Sequence, residues 1–586
     1  MGGVETVQNV VPNALNNLDW VVVVVYIIAM IGMSLWLGRK QESVEDYYLG
    51  GNNLPWWAIG ISTMATQCSS NSFLGVPAFI ALGIGGGLMY LQAELALPLA
   101  MIVIILLLLP FYRRAGVISV YEYLELRFGI MTRTALSILF QVSRALATGI
   151  TVYSVSLVLE VAIGIPLWIS IFLVGVVTII YDTLGGMEAV VYSDVIQMVI
   201  LYGATVYLII WSIGHVGGLS AMFTFWSSFS DSAATLTNAP EALQAYTMAG
   251  KFKVLQLEQM GFGKGEDWSF WACFFGFFFL YISYYGCDQS QVQRELSSKD
   301  VDDTNLSLFL NGVTRFFLIA TMCLMGLAIG AVIFSDLATN ADFLQSVLSH
   351  PEKQNQMVIY FVLKYMPHGL IGLVVVAIFA AAMSSLDSAI NSLSATTMRD
   401  IYERFINPEP IAGEDREDWE KMQFQYSKIF TVMWGIICTF AAFLTPFMGD
   451  NVVVVVNKIG SLTYGPILAV FLMAILSKRA TDSGALVGLF AGVLFDVYLW
   501  MNTDISWLWW NVFGCLVSGV VIYGASFLDK APDPDKIDPY IWKAGSYESF
   551  GYKRNWKAYS AVLVGVFFLF MMFSVAIAHI PSIYGG

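Results

Sequence analysis

The feature that most constrains the fold is a series of long apolar stretches, each of a length that suits a membrane-spanning helix. A helix needs about 17–25 mainly apolar residues to cross a bilayer, and about fourteen stretches of the chain meet this condition. They cover residues 18–38, 56–82, 86–112, 134–162, 166–182, 189–213, 268–289, 306–335, 368–398, 427–447, 452–476, 483–502, 506–527 and 558–580. Only 12% of the 586 residues are charged, against about 25% in an average soluble domain. The sequence therefore predicts an all-α integral membrane protein.

The Lys and Arg residues indicate how the chain is oriented. If the N-terminus lies outside, most of the 29 Lys and Arg residues fall in loops on the cytoplasmic side. Positively charged loops remain in the cytoplasm, and an even number of spans returns the chain to the side on which it started. We therefore expect a multi-pass protein of the cell (plasma) membrane, with both termini extracellular or periplasmic. The net charge of −14 comes from solvated loops and implies no nucleic-acid partner.

A polar cluster interrupts the apolar stretch that begins at residue 368. Four side chains share one helix face because they are spaced i, i+3, i+4 and i+7. They are Ser384, Asp387, Ser388 and Asn391. An ionised carboxylate near the bilayer centre costs about 2.5 kcal/mol or more, so it normally faces a cavity, a partner or an ion. The cluster is either a polar seam between helices or a cation site, and we favour the cation site.

Two of the apolar stretches are interrupted along their length. In the stretch 56–82, the polar run 66–72 precedes a glycine and a proline. In the stretch 268–289, the interruption falls at residues 281–286. The second stretch stands five spans after the first, and such a pair of discontinuous helices indicates an inverted-repeat transporter with a binding site at the midplane. The alternatives are a kinked helix with a serine-rich packing seam and an interfacial belt of tyrosines.

Several charged side chains lie inside the predicted spans. Asp194 stands early in its span and could instead lie at headgroup depth, whereas Glu94 is deeper. The basic residues within spans are Arg144, Arg315 and Lys458. Buried charges usually pair, so these groups either neutralise one another between helices or face a solute or an ion.

Four segments indicate a family. They are LPWWAIGIS at 54–62, GGMEAVVYSDVIQ at 185–197, DQSQVQREL at 288–296 and MSSLDSAINSLSATTMRDIY at 383–402. Together they resemble the sodium/solute symporter family, which includes the sodium/glucose cotransporters. The resemblance implies a LeuT-type inverted repeat of five plus five helices among about fourteen transmembrane helices. The implied segments are an N-terminal helix at 1–45, a first repeat at 46–216, an extracellular loop at 217–267, a second repeat at 268–480, and three C-terminal helices with a cytoplasmic loop at 481–586.

The resemblance also implies the site residues. A sodium site would use backbone carbonyls and hydroxyls of Ala65, Cys68, Ala381, Ser384 and Ser385. A second cation site would use Asp194, Ser384, Asp387 and Ser388. Family members with this second site usually have a hydroxyl residue where this chain has Asp387, so Asp387 binds either Na⁺ or a proton. The implied substrate-binding residues are Ser72, Glu94, Tyr281, Tyr284, Arg315 and Lys458.

These features predict a Na⁺-coupled symporter that imports a small polar organic solute by alternating access. Glu94 favours a sugar or polyol, whereas Arg315 and Lys458 favour a small organic anion, unless Lys458 pairs with Glu94. The alternatives are a membrane-embedded sensor that acts through a partner, and a proton-coupled transporter. We expect no enzyme activity, because the four His residues lie apart near span ends. The expected partners are the solute, Na⁺ and the lipid bilayer, with no cofactor beyond Na⁺, no nucleic acid and no obligate protein partner.

Overall fold

The structure is a computed structural model that describes residues 15–83, 86–228, 250–410, 415–447 and 452–584. Within these ranges the chain consists of helices joined by loops, and β structure is limited to an isolated bridge between Leu54 and Ser298. Eleven helices in the same ranges are long and apolar enough to cross a membrane. The predicted all-α membrane class is confirmed. Residues 1–14 of the predicted N-terminal segment and 229–249 of the predicted extracellular loop lie outside the described residues.

The helices fall into three groups along the chain. The first group is α1 (Asn17–Leu37), α2 (Val44–Leu49), α3 (Trp56–Gln67), α4 (Ser70–Ala81), α5 (Leu88–Ala115), α6 (Val120–Arg127), α7 (Ile130–Ile163), α8 (Leu167–Val216) and α9 (Leu219–Ser227). The second is α10 (Phe270–Cys287), α11 (Gln289–Leu296), α12 (Val301–Ser335), α13 (Leu337–Ser349), α14 (Met357–Tyr365) and α15 (Leu370–Ile406). The third is α16 (Asp415–Ala441), α17 (Val452–Leu476), α18 (Asp482–Asn502), α19 (Trp507–Ala525) and α20 (Trp556–Ala578). Most of the candidate site lies among members of the first two groups, and α17 and α19 of the third group complete the wall of its cavity.

Asp19, in the first turn of α1, holds α1 against the start of α15. Its carboxylate accepts a hydrogen bond from Asn16 N at 3.0 Å, which caps α1. The same carboxylate accepts from Gly369 N at 2.6 Å and from Gly372 N at 2.8 Å. A buried carboxylate requires such donors, so these bonds fix where α15 begins relative to α1.

The predicted interruption of the stretch 56–82 is present. α3 ends at Gln67 and α4 begins at Ser70, and between them Cys68 has φ −88° and ψ 66°, outside the helical region. A helix end leaves its last backbone carbonyls without intrahelical partners. The break therefore frees carbonyl oxygens inside the packed bundle, where they can line a cavity or bind an ion.

The second interruption is displaced from its predicted position. The predicted break at 281–286 is wrong, because α10 continues to Cys287 and the non-helical residue is Asp288, with φ −89° and ψ 124°. Asp288 is the N-cap of α11, and its carboxylate accepts from Ser290 N at 2.9 Å and from Ser290 Oγ at 2.6 Å. An N-cap has extended backbone and starts a new helix. The tyrosines before it consequently project from a continuous helix.

The 50-residue helix α8 bends at Gly186, which has φ 53° and ψ −157°. A Cβ at this position would lie 2.7 Å from the backbone oxygen of Tyr47, so both the backbone conformation and the close approach require glycine. The bend divides α8 into two parts, with Asp182 in the first and Asp194 in the second. Both carboxylates are fully buried and lie on the side of α8 that packs against α15.

Candidate functional site

Ser384 and Ser385 join α15 to the end of α3. Ser384 Oγ lies 3.5 Å from Ala65 O and 3.3 Å from Ala381 O. Ser385 Oγ donates to Thr66 O at 3.1 Å and lies 3.5 Å from Ala381 O. Because α3 ends one residue after Thr66, the backbone carbonyls of its last turn accept no hydrogen bond from a following helical turn. Hydroxyl and carbonyl oxygens of two helices thus face each other, as in ion sites built on discontinuous helices.

Cys68 lies at the break between α3 and α4. Its backbone N–H donates to Met64 O at 3.0 Å, and its thiol Sγ lies 3.9 Å from Met322 Sδ on α12. The thiol is therefore directed away from Ser384 and Ser385, and only the carbonyl of Cys68 is available to the predicted sodium site. That role stays a prediction.

The other half of the polar cluster surrounds Asp387. Its carboxylate accepts from Ser388 N at 2.5 Å, from Ser388 Oγ at 3.1 Å and from the hydroxyl of Tyr181 on α8. Asp194, also on α8, accepts from Ser62 Oγ at 2.5 Å. Both carboxylates are fully buried, and Ser388 Oγ also donates to Ser384 O. Because Arg294 contacts both Asp194 and Ser388, the four members of the predicted second cation site lie in the same region of the bundle.

Arg294 enters this cluster from α11, most of which lies between the predicted spans 268–289 and 306–335. Its Nε lies 3.7 Å from Asp194 Oδ2, and its Nη2 donates to the hydroxyl of Ser388. Nη1 donates to Ser290 O at 2.8 Å. The guanidinium is fully buried, so it provides a fixed positive charge beside two predicted cation ligands. The signal for this role was the motif DQSQVQREL, which contains Arg294.

Asp182 is a further acidic residue that the sequence analysis missed. It is fully buried on α8 and interacts electrostatically with Asp387 and Arg294. Neither of its carboxylate oxygens accepts a well-formed hydrogen bond from the part of the chain that the structure describes. The sequence could have indicated Asp182, because it is an acidic residue at the end of an apolar span. An ionisable residue in such a position is a candidate for a functional site.

Helix α11 closes the bundle next to this cluster. All eight of its residues are buried, although most are polar. Gln293 Nε2 donates to Asn391 Oδ1 at 2.8 Å and to Tyr48 O at 2.9 Å, and Gln291 Nε2 donates to Tyr284 Oη at 3.0 Å. The polar side chains of α11 therefore make their hydrogen bonds to α2, α10 and α15, and together they seal one end of the site.

Glu295 anchors α11 to two other helices. Thr63 Oγ1 on α3 donates to one carboxylate oxygen at 2.8 Å, and the hydroxyl of Ser307 on α12 donates to the other. Burial raises the pKa of this carboxyl to about 7 from an ordinary value of 4.5. A carboxyl of this kind is ionised in the folded protein only at a higher pH than in the unfolded chain.

Replacing Glu295 by glutamine should remove a pH dependence of stability. Between pH 4.5 and about 7 the folded protein binds more protons than the unfolded chain, so the free energy of unfolding falls as the pH rises through this window. The full penalty, on the order of 3 kcal/mol, is present above the folded pKa. We expect the thermal midpoint of the wild type in detergent to fall from pH 5 to pH 8, and that of Glu295→Gln to fall less. Glu258→Gln, at an exposed loop position, is the control and should behave as the wild type; an equal fall in all three would contradict the assignment.

A cavity of about 570 Å³ adjoins the carbonyl and hydroxyl cluster, within the roughly 300–1,000 Å³ of small-molecule sites. Thr66 and Ser385 line its wall. Five of the six predicted substrate-binding residues also line it, namely Ser72, Glu94, Tyr281, Tyr284 and Arg315. The structure thus brings these residues together beside the predicted sodium ligands.

Two ion pairs lie in the wall of this cavity. Arg315 Nε lies 2.9 Å from Glu94 Oε2, and Arg144 pairs with Asp288. The Nη1 of Arg315 is buried and has no hydrogen-bond partner among the described residues. The wall therefore presents two neutralised ion pairs, and Nη1 of Arg315 is buried behind it.

Lys458 is the predicted substrate-binding residue that the structure does not bring to this cavity. It lines a smaller cavity of about 250 Å³ together with Lys264 and Asp504. The two cavities share Asp267 and Trp507 in their walls. The predicted alternative of a Lys458–Glu94 pair is not formed, because Glu94 pairs with Arg315.

Comparisons with known proteins identify the family of this chain. The model of the sodium:solute symporter family matches residues 47–492. The sodium/sialic acid symporter NanT of Aliivibrio fischeri is 28% identical over 526 residues, which cover 89% of this chain and 95% of that relative. The sodium/glucose cotransporter of Vibrio parahaemolyticus is 27% identical over 536 residues, which cover 90% of this chain and 93% of that relative.

A solved structure is also similar to this chain. It is the substrate-bound, outward-open state of a Na⁺-coupled sialic acid symporter, with 26% sequence identity and a TM-score of 0.72. The similarity covers 88% of this chain and 99% of that one. Since the family model extends over most of the chain, from α2 into α18, the protein belongs to the sodium:solute symporter family and is a secondary transporter rather than an enzyme.

Proposed function

We propose that this protein imports a small polar organic solute together with Na⁺ by alternating access. One observation carries the proposal: Thr66 and Ser385 belong both to the cavity wall and to the cluster of oxygens between α3 and α15. An ion held in that cluster therefore lies against the solute. The proposed ligands of the first Na⁺ are Ala65, Cys68, Ala381, Ser384 and Ser385.

Na⁺ can drive a conformational change only if it binds one state more tightly than the other. Its proposed ligands come from both α3 and α15, so a bound Na⁺ would hold these helices together and favour the state whose cavity is open to the outside. Each Na⁺ that then moves inward adds about 2.3 kcal/mol of drive per 100 mV of membrane potential. The Na⁺ gradient thereby supplies the energy for accumulating the solute.

The proposed architecture is a LeuT-type inverted repeat of five plus five helices among about fourteen transmembrane helices, in the plasma membrane with both termini outside. The proposed boundaries are 1–45, 46–216, 217–267, 268–480 and 481–586. Two observations support an outward-open state of this arrangement. The cavity wall includes Asp267 and Trp268, next to the proposed extracellular loop, and α11 at the other end of α10 is buried.

The charges in the cavity support a hydroxyl-rich solute such as a sugar or polyol. Arg315 is paired with Glu94, and Arg144 is paired with Asp288, so the wall has no excess of positive charge from these groups. Such pairs offer hydrogen-bond donors and acceptors to hydroxyl groups. The names of two relatives, which transport sialic acid and glucose, agree with this class.

A small organic anion is the second candidate. It is favoured by Arg315, which carries a guanidinium and lines the cavity. A planar guanidinium at a cavity wall suits a carboxylate. An acidic sugar would use both features of the wall, its hydroxyl groups meeting the ion pairs and its carboxylate meeting Arg315.

Uptake into proteoliposomes tests the proposed function. The purified protein is reconstituted and given labelled sialic acid, glucose or pyruvate outside, with an inward gradient of either Na⁺ or choline. We expect Na⁺-dependent uptake of at least one of these solutes and little uptake in choline. Equal uptake in the two salts would overturn Na⁺ coupling, and uptake of pyruvate alone would overturn the preference for a hydroxyl-rich solute.

Removing the charges of Glu94 and Arg315 together should separate the two solute classes. The double variant Glu94→Gln/Arg315→Gln leaves no unpaired charge but loses the guanidinium, so we expect the uptake of an anionic solute to fall about tenfold or more, equivalent to about 1.4 kcal/mol. Uptake of a neutral sugar should fall less. Lys458→Gln is the matched comparison, because Lys458 lines the smaller cavity. A larger loss from Lys458→Gln than from the double variant would contradict the role of Arg315.

A further inference from the structure

Three aromatic side chains meet in the wall of the larger cavity. They are Phe79 on α4, Tyr90 on α5 and Trp268, which stands two residues before α10. The ring centroids of Phe79 and Trp268 lie 5.2 Å apart, those of Tyr90 and Trp268 5.3 Å, and those of Phe79 and Tyr90 6.0 Å. Because each ring is close to the other two, side chains from three separate segments form one aromatic cluster, which we call the aromatic triad.

The backbone of Trp268 is held in a fixed position. Its carbonyl oxygen accepts a hydrogen bond from Nε2 of Gln92 at 2.6 Å, and Gln92 is fully buried on α5, two residues after Tyr90. The next residue, Ser269, caps α10, since its hydroxyl oxygen accepts from Ala272 N at 3.2 Å. A tryptophan side chain also has only two rotatable bonds. The indole is therefore preorganised, and little entropy is lost when a solute packs against it.

The indole of Trp268 is accessible from the cavity. Its plane is inclined by 45° to the ring of Phe79 and by 39° to the ring of Tyr90, so neither neighbour stacks flat on it. Trp268 is half-buried and lines the cavity. An aromatic ring in such a position offers a flat apolar surface to a solute.

The aromatic triad adjoins the ion pair of Glu94 and Arg315. Glu94 stands four residues after Tyr90 on α5, and the Tyr90 side chain interacts electrostatically with both charged groups of the pair. All of these residues line the same cavity. The wall therefore combines a flat apolar surface with hydrogen-bonding groups, and such a combination fixes the orientation of a small molecule.

We propose that Trp268 determines specificity by packing its indole against the ring of a cyclic sugar. This proposal rests on the proposed Na⁺ symport and narrows its hydroxyl-rich class of solutes. The C–H groups of a sugar ring form an apolar face that suits an indole, and its hydroxyl groups suit Glu94 and Arg315. An open-chain polyol has no fixed apolar face and loses more conformational entropy on binding. A small acid such as pyruvate covers little of an indole.

Initial rates of uptake into proteoliposomes with an inward Na⁺ gradient test the proposal. The labelled solutes are glucose and sialic acid, which are cyclic, and sorbitol and pyruvate, which are open chains. We expect the wild type to take up at least one cyclic solute, with a KM about tenfold or more below that for sorbitol.

Two variants of Trp268 then test the indole itself. Trp268→Leu should raise the KM for the cyclic solute about tenfold and leave the maximal rate within about twofold, because the lost contact serves binding. Trp268→Phe keeps a smaller aromatic face, so its KM should rise only about threefold. If Trp268→Leu does not fold, as judged by its thermal midpoint in detergent, the rise expected for Trp268→Phe carries the test.

Trp271→Leu is the matched control. Trp271 lies in the first turn of α10, packs against Phe270 and Phe275, and is not among the described residues that line the larger cavity. We expect its KM for the cyclic solute to equal that of the wild type. An equal rise in Trp271→Leu and Trp268→Leu would overturn the proposal, because it would mean that any loss of an aromatic ring near the start of α10 has the same effect.

Three further results would overturn the proposal and leave Na⁺ symport intact. One is a wild type that takes up sorbitol or pyruvate with Na⁺ but neither cyclic solute. Another is an unchanged KM in the Trp268 variants that fold. The third is a lower maximal rate at an unchanged KM, which a merely structural role of Trp268 predicts. Absence of Na⁺-dependent uptake of all four solutes would instead count against the proposed function itself.

Discussion

Replacing Ser385 by alanine should raise the Na⁺ concentration that gives half-maximal uptake about tenfold or more, equivalent to about 1.4 kcal/mol. The hydroxyl lies 3.1 Å from Thr66 O and 3.5 Å from Ala381 O, so it is within reach of both helices that the proposed site joins. Loss of an oxygen ligand leaves a buried cation incompletely coordinated. Because Ser385 also lines the cavity, the affinity for solute at limiting Na⁺ should fall as well. The measurement is the Na⁺ dependence of initial uptake rates in proteoliposomes.

Ser392→Ala is the matched control for this variant. Ser392 lies on the same helix, is buried, and its hydroxyl donates to Ala389 O of its own helix at 2.9 Å. We expect its Na⁺ dependence to equal that of the wild type. Equal shifts in both variants would mean that alanine acts by altering α15 as a whole, and no shift in Ser385→Ala would remove Ser385 from the sodium site.

Replacing Arg294 by glutamine should reduce transport to less than about one tenth and lower thermal stability. Removal of one partner from a buried ion pair leaves the other charge unpaired and costs about 3–5 kcal/mol. Here the unpaired group is Asp194, and α11 also loses its contact with Ser388 on α15. The closed end of the bundle should therefore open more readily. Thermal unfolding in detergent and uptake in proteoliposomes measure the two effects.

The double variant Asp194→Asn/Arg294→Gln separates the loss of the ion pair from other effects of the substitution. It carries neither charge, so it should be more stable than the sum of the two single variants predicts. The measurement is the thermal midpoint, detected by fluorescence, of the wild type, the two single variants and the double variant. Their differences give the interaction between Asp194 and Arg294. Additive losses would show that Asp194 and Arg294 do not act as a pair.

Those parts of the site that depend on local sequence could be predicted. A run of polar residues inside an apolar stretch indicated the break at Cys68, and helical periodicity indicated that Ser384 and Asp387 share a face. The family resemblance then paired Ser384 with Ala65, and the two residues do lie together. These features follow from spacing along one or two helices, which the sequence records directly.

The rest depends on how distant segments pack. Gln293, Arg294 and Glu295 have the hydropathy of a loop, and only the packing of α11 against α3 and α15 buries them. The end of α10 depends on Asp288 acting as a cap, which the preceding tyrosines do not reveal. Lys458 lines a different cavity, and Glu94 is paired with Arg315 instead. Each of these outcomes is decided by a tertiary contact between residues far apart in the chain.

The polar packing of α11 has a consequence for how temperature affects the protein. Apolar contacts weaken on cooling, because the hydrophobic driving force fades at low temperature. Exposure of apolar groups raises the heat capacity, whereas exposure of polar groups lowers it. Gln291, Gln293, Arg294 and Glu295 hold α11 by hydrogen bonds and charge, so its release exposes mainly polar groups. Cooling therefore weakens contacts between apolar side chains more than it weakens the polar contacts by which α11 closes its end of the bundle.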